Sequence, residues 1–327
     1  MPDAAPYSGL TPDRVLDSIE TTGMRCDGRL LALNSYENRV YQVGIEDAPA
    51  IVAKFYRPGR WSDAQILEEH AFAAELASAE LPVVAPLDID GRTLHAHEAF
   101  RFALYPRRGG RAPELDDPQV LEWIGRFIGR MHAIGATRAF VARPVLDAES
   151  FGHEPRTWLI DSGLLPAELQ AAYDGTSARA LEAVAHCYRR AADVAAIRLH
   201  GDIHGGNMLW TDDGPHFVDL DDARTGPPVQ DLWMLLSGDR ASMCRQLSDV
   251  LAGYEDFREF DRRELHLLEA LRTLRMMHYA AWLGRRWDDP AFPQAFPWFN
   301  TPRYWQEHIL QVKEQIAEMD EAPLGPV

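Results

Sequence analysis

The segment Leu199-His200-Gly201-Asp202-Ile203-His204-Gly205-Gly206-Asn207 puts a carboxylate, two imidazoles and a carboxamide close together among glycines that favour a loop. The turn Thr211-Asp212-Asp213-Gly214 follows, then a short strand pattern, Pro215–Val218, that ends at Asp219. A hairpin there places Asn207 and Asp219 at neighbouring strand ends, with Asp202 on the loop just before. Two carboxylates and an amide oxygen in one small volume repel and desolvate badly unless a cation joins them. A hard divalent ion meets that need, and Mg²⁺ favours one or two protein oxygens plus phosphate oxygens. The order Asp, Asn, then Asp after a hairpin suits phosphoryl transfer. The first Asp accepts the proton of an acceptor hydroxyl, while Asn207 and Asp219 hold Mg²⁺ against the transferring phosphate.

The two histidines allow other readings. His200 and His204 are four apart and could ligate zinc with Asp202, but the glycines around them argue for a loop rather than a ligand-bearing helix. His200 reads as a packed structural residue. His204 either donates to the transferring phosphate or orients the loop.

A second centre lies upstream. Of thirty-three basic residues only Lys54 and Lys313 are lysine. Lys54 sits inside the strand pattern IVAKFY, where a compact point charge does what a planar guanidinium cannot, unless its survival there is chance. Ser62-Asp63-Ala64-Gln65 is a capping box that opens a helix running to about Ser78. On that helix Ile66, Ala73 and Leu76 share one face with Glu69, and Glu68 lies on the flank. A carboxylate on an inward face is costly unless paired, so a Lys54–Glu69 ion pair is expected. The loop Leu33–Asn38 could cover phosphates with backbone N–H groups and the Ser35 hydroxyl, or be an ordinary polar hairpin.

These centres need elements to hold them. Thr11-Pro12 opens a helix after a tail over residues 1–10. Arg39–Val43 and Ile51–Tyr56 read as strands around a polar turn, and Val83–Asp90, Thr93–His97 and Phe100–Tyr105 as further strands. Beyond the basic loop Arg107–Arg111 the pattern turns helical, at Val120–Ile134, Ala167–Tyr173, Ala178–Ala195, Ala241–Tyr254 and Glu264–Arg286. The fold class expected is α+β and bilobal. A small antiparallel-sheet lobe with one key helix, residues 1–105, precedes a larger, mainly helical lobe, residues 106–327, and a cleft for ligands is expected between them. The aromatic-dense stretch from Tyr279 to Trp305 reads mostly as helix packing, with part of it able to shape the acceptor side of the cleft, and Asp288-Asp289 read as solvated turn residues in preference to facing a cationic acceptor.

Composition narrows the classes. The chain has 327 residues, 46% hydrophobic and 25% charged, an ordinary globular mix. Fifty acids against thirty-three bases give a net charge of −17, which disfavours general nucleic-acid binding. No apolar run is long enough to span a bilayer. The N-terminal MPDAAPYSGL lacks a basic region followed by an apolar stretch, so no secretory signal is expected. Cys26, Cys187 and Cys244 are scattered and odd in number, which suits a reducing, cytoplasmic compartment.

The segments LNSYENRVYQ (33–42), KFYRPGRW (54–61), QILEEH (65–70), LHGDIHGGN (199–207), FVDLDDARTGPPVQDLWMLL (217–236) and RRWDDPAFP (285–293) carry a resemblance. The chain resembles the aminoglycoside phosphotransferase/choline kinase-like superfamily of the protein-kinase fold. Within it, the chain is similar to the bacterial stress response kinase A group of serine/threonine protein kinases, from about Thr11 to Glu307. The resemblance implies an ATP- and Mg²⁺-dependent protein kinase that autophosphorylates and acts in stress response. It implies Asp202 as catalytic base, Asn207 and Asp219 as Mg²⁺ ligands, Lys54 as phosphate-binding lysine with Glu69 as partner, and Ser35 at an ATP-associated loop. Asp231 is implied to brace the catalytic loop, and Leu104-Tyr105-Pro106 to be the hinge whose backbone meets adenine. Expected partners are ATP and a protein with a Ser or Thr acceptor, with no nucleic acid or membrane, and the chain is expected to be a monomer. A small-molecule kinase for an amino-alcohol or aminoglycoside is the rival reading, favoured by the acidic net charge. A non-catalytic nucleotide-binding scaffold is a third, and the full set of polar site residues argues against it.

Overall fold

The computed structural model describes residues 6–325. In chain order the first elements are helix α1 (Pro12–Glu20), strands β1 (Cys26–Ala32), β2 (Arg39–Ile45) and β3 (Ala48–Phe55), helix α2 (Asp63–Ser78), and strands β4 (His95–His97) and β5 (Phe100–Pro106). Then come helices α3 (Pro118–Gly135), α4 (Glu154–Asp161) and α5 (Ala167–Ala191), strand β6 (Ile197–Leu199), the hairpin β7 (Met208–Thr211) and β8 (Gly214–Phe217), and strand β9 (Arg224–Gly226). Helices α6 (Gln230–Trp233), α7 (Arg240–Tyr254), α8 (Leu268–Gly284), α9 (Ala291–Ala295) and α10 (Pro302–Asp320) complete the chain.

The chain forms two compact units. The first takes the described residues up to Pro113, Val141–Arg143 and Gly206–Asp221. The second takes Glu114–Phe140, Pro144–Gly205 and the described residues from Asp222 onward. This partition differs from a single cut at 105/106 because the β7–β8 hairpin bonds to the first unit. Arg111 and Trp210 exchange backbone hydrogen bonds, and Phe217 does the same with the Pro82–Val84 segment.

In the first unit the antiparallel sheet runs β1-β2-β3-β5-β4. Alternation along β3 sends Ala53 and Phe55 to one face, where they pack with Phe102, Leu104 and the α1 residues Val15 and Ile19. The other face receives Ile66 of α2, against Tyr56 and Ala103. The capping box at Ser62 and Gln65 is present and fixes where α2 starts. Val83–Asp90 is not a strand. Its backbone groups are spent on isolated partners, Val84 N–H on Phe217 O and Leu87 N–H on Leu104 O. Of the tail expected over residues 1–10, residues 1–5 lie outside the described residues. Tyr7 is fastened, its hydroxyl donating to Glu37 O at 3.0 Å with the Arg39 guanidinium over its ring.

The second unit is helical. Helices α3 and α7 cross so closely that a Cβ on Gly253 would sit 1.9 Å from Glu122 O, so only glycine fits there. Helix α5 is continuous, where the sequence suggested a break near Gly175. The Ser177 hydroxyl bonds back to Tyr173 O at 2.7 Å, and Tyr173, Ser177, Ala180 and Leu181 are buried on one face. Tertiary burial overrides the weak local propensity there. The C-terminal aromatics form a core in which Phe292, Phe299 and Trp305 pack with Leu159 and Tyr173. Asp289, just before α9, is buried and accepts from Ala291 N–H, so it is not the solvated turn residue expected; Asp288 is exposed.

Candidate active site

Lys54 stands on β3 between Val40 of β2 and Ala103 of β5, and the pleat turns its side chain to the α2 face of the sheet. There it is buried, with Nζ 2.7 Å from Asp219 Oδ1 and 3.1 Å from Asp221 Oδ1. Burial works to lower the lysine's pKa, but the two carboxylates outweigh it and hold the ammonium charged well beyond its ordinary range.

Glu69 is not the direct partner of this lysine. Among the described residues, the ion pairs of Lys54 run to Asp219 and Asp221. Helical periodicity placed Glu69 on the inward face, and it is indeed buried, but Oε2 finds no hydrogen-bond partner. The charge of Lys54 still acts on it from beyond pairing distance. Burial dominates and pushes the Glu69 carboxyl up to about 7. Next to it, His70 is held neutral by burial, between Tyr56 Oη at 2.7 Å and Thr93 Oγ1 at 2.9 Å.

Asp221 is the residue that sequence reasoning passed over. Its side chain is 5% exposed, against 52% for Asp219. Besides Lys54, it pairs with Arg60 and accepts from Asn38 Nδ2 at 3.2 Å. Its carbonyl accepts from Arg143 Nη2 at 2.6 Å. Arg143 is itself positioned by Glu68, whose carboxylate accepts the backbone N–H groups of Val141, Ala142 and Arg143 at 2.6–2.7 Å. Its guanidinium lies 4.3 Å from the centroid of the Trp61 ring. So the helix residue on the flank, Glu68, pins a distant loop, while the inward Glu69 is left without a close cation. The doubled acid in VDLDD was the one sequence signal for Asp221.

Hairpin β7–β8 brings Asn207 and Asp219 to one end. Met208 pairs with Phe217, and Val218 N–H donates to Asn207 O at 3.0 Å. Asp219 adopts a left-handed backbone with φ 61°, which aspartate tolerates better than most residues. Left-handed single residues of this kind cluster at functional sites. The half-exposed carboxylate of Asp219 and the amide of Asn207 are hard oxygen donors, and the residues present fit a Mg²⁺ ion with room for phosphate and water oxygens.

Asp202 and His204 belong to the second unit. Asp202 Oδ1 lies 2.6 Å from Arg275 Nη2 of α8, and its other oxygen 3.6 Å from His204 Nε2. Burial works to raise the Asp202 carboxyl, but the His204 hydrogen bond and the Arg275 charge leave it below the usual range. Asp231, at the start of α6, braces the loop. It accepts from His200 N–H at 2.9 Å and Gly201 N–H at 2.8 Å, and Oδ2 meets His132 Nε2 at 3.1 Å. Tyr254 Oη holds the other ring nitrogen of His132 at 3.0 Å. Gly201 has φ 85°, and a Cβ there would meet Asp222 O at 2.3 Å, so glycine alone permits this bend. His200 is fully buried in the same brace.

The remaining expected residues stand in the first unit. Ser35, between β1 and β2, turns its hydroxyl to Asn38 O at 3.1 Å. Tyr105 lies near the end of β5, and its hydroxyl meets Tyr56 Oη at 3.1 Å.

The model of the phosphotransferase enzyme family matches residues 29–268. "Stress response kinase A" of Salmonella choleraesuis (strain SC-B67) is 47% identical over 98% of this chain and 97% of its own length. "Serine/threonine protein kinase RdoA" of Salmonella typhimurium is likewise 47% identical over 98% of this chain and 97% of its own length. Among solved structures, an amicoumacin kinase in complex with AMP-PNP and Ca²⁺ superposes with a TM-score of 0.73 at 18% identity, covering 96% of this chain and 95% of that one. A microcompartment-associated aminopropanol kinase gives 0.71 at 19% identity, covering 94% and 97%. The kinase-like fold expected from the sequence therefore stands, and no helix among the described residues is long and apolar enough to cross a membrane. With a family model spanning most of its length and near-full-length relatives at 47% identity, this chain belongs to the phosphotransferase enzyme family and is an ATP-dependent phosphotransferase.

Proposed function

We propose that the chain is a Mg²⁺-dependent protein serine/threonine kinase of the bacterial stress response, autophosphorylating, monomeric and cytoplasmic. The observation that carries the choice of acceptor is the near-full-length identity of 47% to a relative named as a serine/threonine protein kinase.

In this reading Lys54 binds the nucleotide phosphates from the sheet, and the first unit supplies the nucleotide side of the reaction. Asn207 and Asp219 would hold Mg²⁺, which when bound neutralises phosphate oxygens as charge shifts in the transfer. Ser35 and the loop around it cover the phosphates, and the Leu104-Tyr105-Pro106 backbone meets adenine. Glu69 tunes the lysine's field from a distance. In the second unit Asp202 takes the acceptor hydroxyl's proton, His204 steadies its carboxylate, and Asp231 fixes the loop. Positioning and charge neutralisation carry the rate.

The solved neighbours named for amicoumacin and aminopropanol support a second reading, transfer to a small amino-alcohol. Incubation with γ-labelled ATP and Mg²⁺ separates the two. Label on Ser or Thr of the chain itself or of added protein, lost in Asp202→Asn, supports the protein-kinase reading. Label appearing only on added amino-alcohols overturns it.

A further inference from the structure

The second unit contains a cavity of about 520 Å³ that the reaction scheme above leaves unassigned. It is walled by His204 of the catalytic loop, by Trp233 and Ser237 around the end of α6, by Met243 of α7, and by Arg272 and Arg275 of α8. The two arginines are three apart and so share one helix face. Among the described residues, no Asp or Glu lines this cavity. Each arginine is held by a carboxylate that is not among the lining residues. Arg272 Nη1 bonds both oxygens of Glu269, at 3.2 and 3.1 Å, and Arg275 Nη2 meets Asp202. Neither anchor uses the full five-donor fork.

A cation entering this cavity would meet two guanidiniums and no lining carboxylate. An anionic group would find two forks suited to bidentate carboxylate binding. The net charge of −17 favours cations at long range, but the lining decides what fits. Arg275 adds a link to the chemistry, because it sits on the carboxylate assigned as base. An acidic acceptor offers that guanidinium a second carboxylate and so leaves Asp202 to the acceptor hydroxyl.

We propose that this cavity is the acceptor subsite and selects an acidic peptide segment, one with Asp or Glu close to the phosphorylated Ser or Thr; this rests on the protein-kinase reading above. Arg272 and Arg275 are then specificity-determining residues, and Arg272 acts by binding rather than by chemistry.

The test uses the full chain with ATP, Mg²⁺ and Ser-containing peptides that differ only in flanking Glu, Ala or Lys. The acidic peptide is expected to exceed the basic one in kcat/KM by about tenfold or more. Arg272→Glu should reverse that order, chiefly through KM. If Arg272→Glu does not fold, as judged by its melting transition, an acidic peptide with Ala in place of Ser supplies the second measurement. It should compete with acidic substrate on the unmodified chain, and its Lys-flanked counterpart should not. Equal or preferential use of the basic peptide overturns the subsite while leaving the protein-kinase reading intact. Labelling of aminopropanol with no peptide labelled overturns both.

Discussion

Lys54 Nζ and Asp219 Oδ1 lie 2.7 Å apart although their residues are 165 positions apart in the chain. The lysine is thus held by the end of the β7–β8 hairpin, through Asp219 and Asp221, rather than by helix α2. Strand β3 presents the cation and the hairpin presents the anions. A nucleotide's phosphates would add negative charge to a centre that already balances one ammonium and one guanidinium against two carboxylates. A divalent metal held at Asp219, as proposed, would offset that charge and leave the lysine to the phosphates.

Lys54→Met tests the cation's share. The variant removes the buried charge while keeping most of the side-chain volume. Phosphotransfer is expected to fall by at least about 100-fold, the scale for deleting one charge-stabilising group. Lys54→Arg should not restore it, because a planar fork cannot replace a point charge on this crowded face. Turnover of labelled ATP reads both, and full activity in either variant contradicts the assignment.

Asp219 and Asp221 are two apart in sequence yet should respond in opposite ways. Asp221→Asn leaves Lys54 and Arg60 facing a neutral amide in a buried setting. Breaking such a buried pair costs about 3–5 kcal/mol of stability. Asp219→Asn changes a half-exposed carboxylate, and asparagine tolerates the same left-handed backbone, so stability should move by no more than about 1 kcal/mol. Activity should nonetheless collapse if Asp219 is the carboxylate that holds Mg²⁺, as proposed. Urea midpoints alongside Mg²⁺-dependent turnover separate the two effects. Equal midpoints for the two variants would sink the division of labour.

Residue type and spacing in the sequence singled out Lys54, Asp202, Asn207 and Asp219, because each combines an unusual residue type with a local pattern that fixes its direction; Asp231 came only with the family resemblance. Asp221 escaped that logic. Whether the second or the third acid of VDLDD turns inward depends on the left-handed backbone at Asp219, and the partners of Asp221, namely Asn38, Arg60 and Arg143, come from three remote segments. The α2 pattern gave the face of Glu69 but not its partner, since periodicity fixes direction and not distance. Arg272 and Arg275 look like ordinary helix-surface residues in sequence; only the fold sets them beside His204. The same limit explains α5, where burial of Tyr173, Ser177 and Leu181 carries a helix through Gly175.

Glu69 gives a pH signature. Its carboxyl is pushed up to about 7 in the folded chain from an ordinary 4.5, so the folded state binds the extra proton. Stability contributed by this group is therefore greatest at low pH and declines as pH rises through the window from 4.5 to 7. Glu69→Gln stays neutral throughout. The variant should match the unmodified chain near pH 4.5 and become the more stable one by up to about 3 kcal/mol above pH 7. Denaturation midpoints of the two chains between pH 4.5 and 8 provide the comparison. A constant difference across that range would mean that Glu69 titrates as an ordinary carboxylate.

Asp231 gives the last expectation. Its two oxygens accept the backbone N–H groups of His200 and Gly201, and one also meets His132. Asp231→Asn preserves the shape but turns an NH₂ group toward one of those donors. A buried donor left without an acceptor costs about 1–3 kcal/mol, so the melting temperature should fall measurably. The catalytic consequence comes through geometry, because Asp202 follows Gly201 directly and shifts with it. A misplacement of about 1 Å costs on the order of 100-fold in rate. The kcat should therefore drop while the KM for ATP stays nearly constant, since Lys54 and Asp219 belong to the other unit. A matched rise in the KM for ATP would show instead that Asp231 supports the nucleotide side.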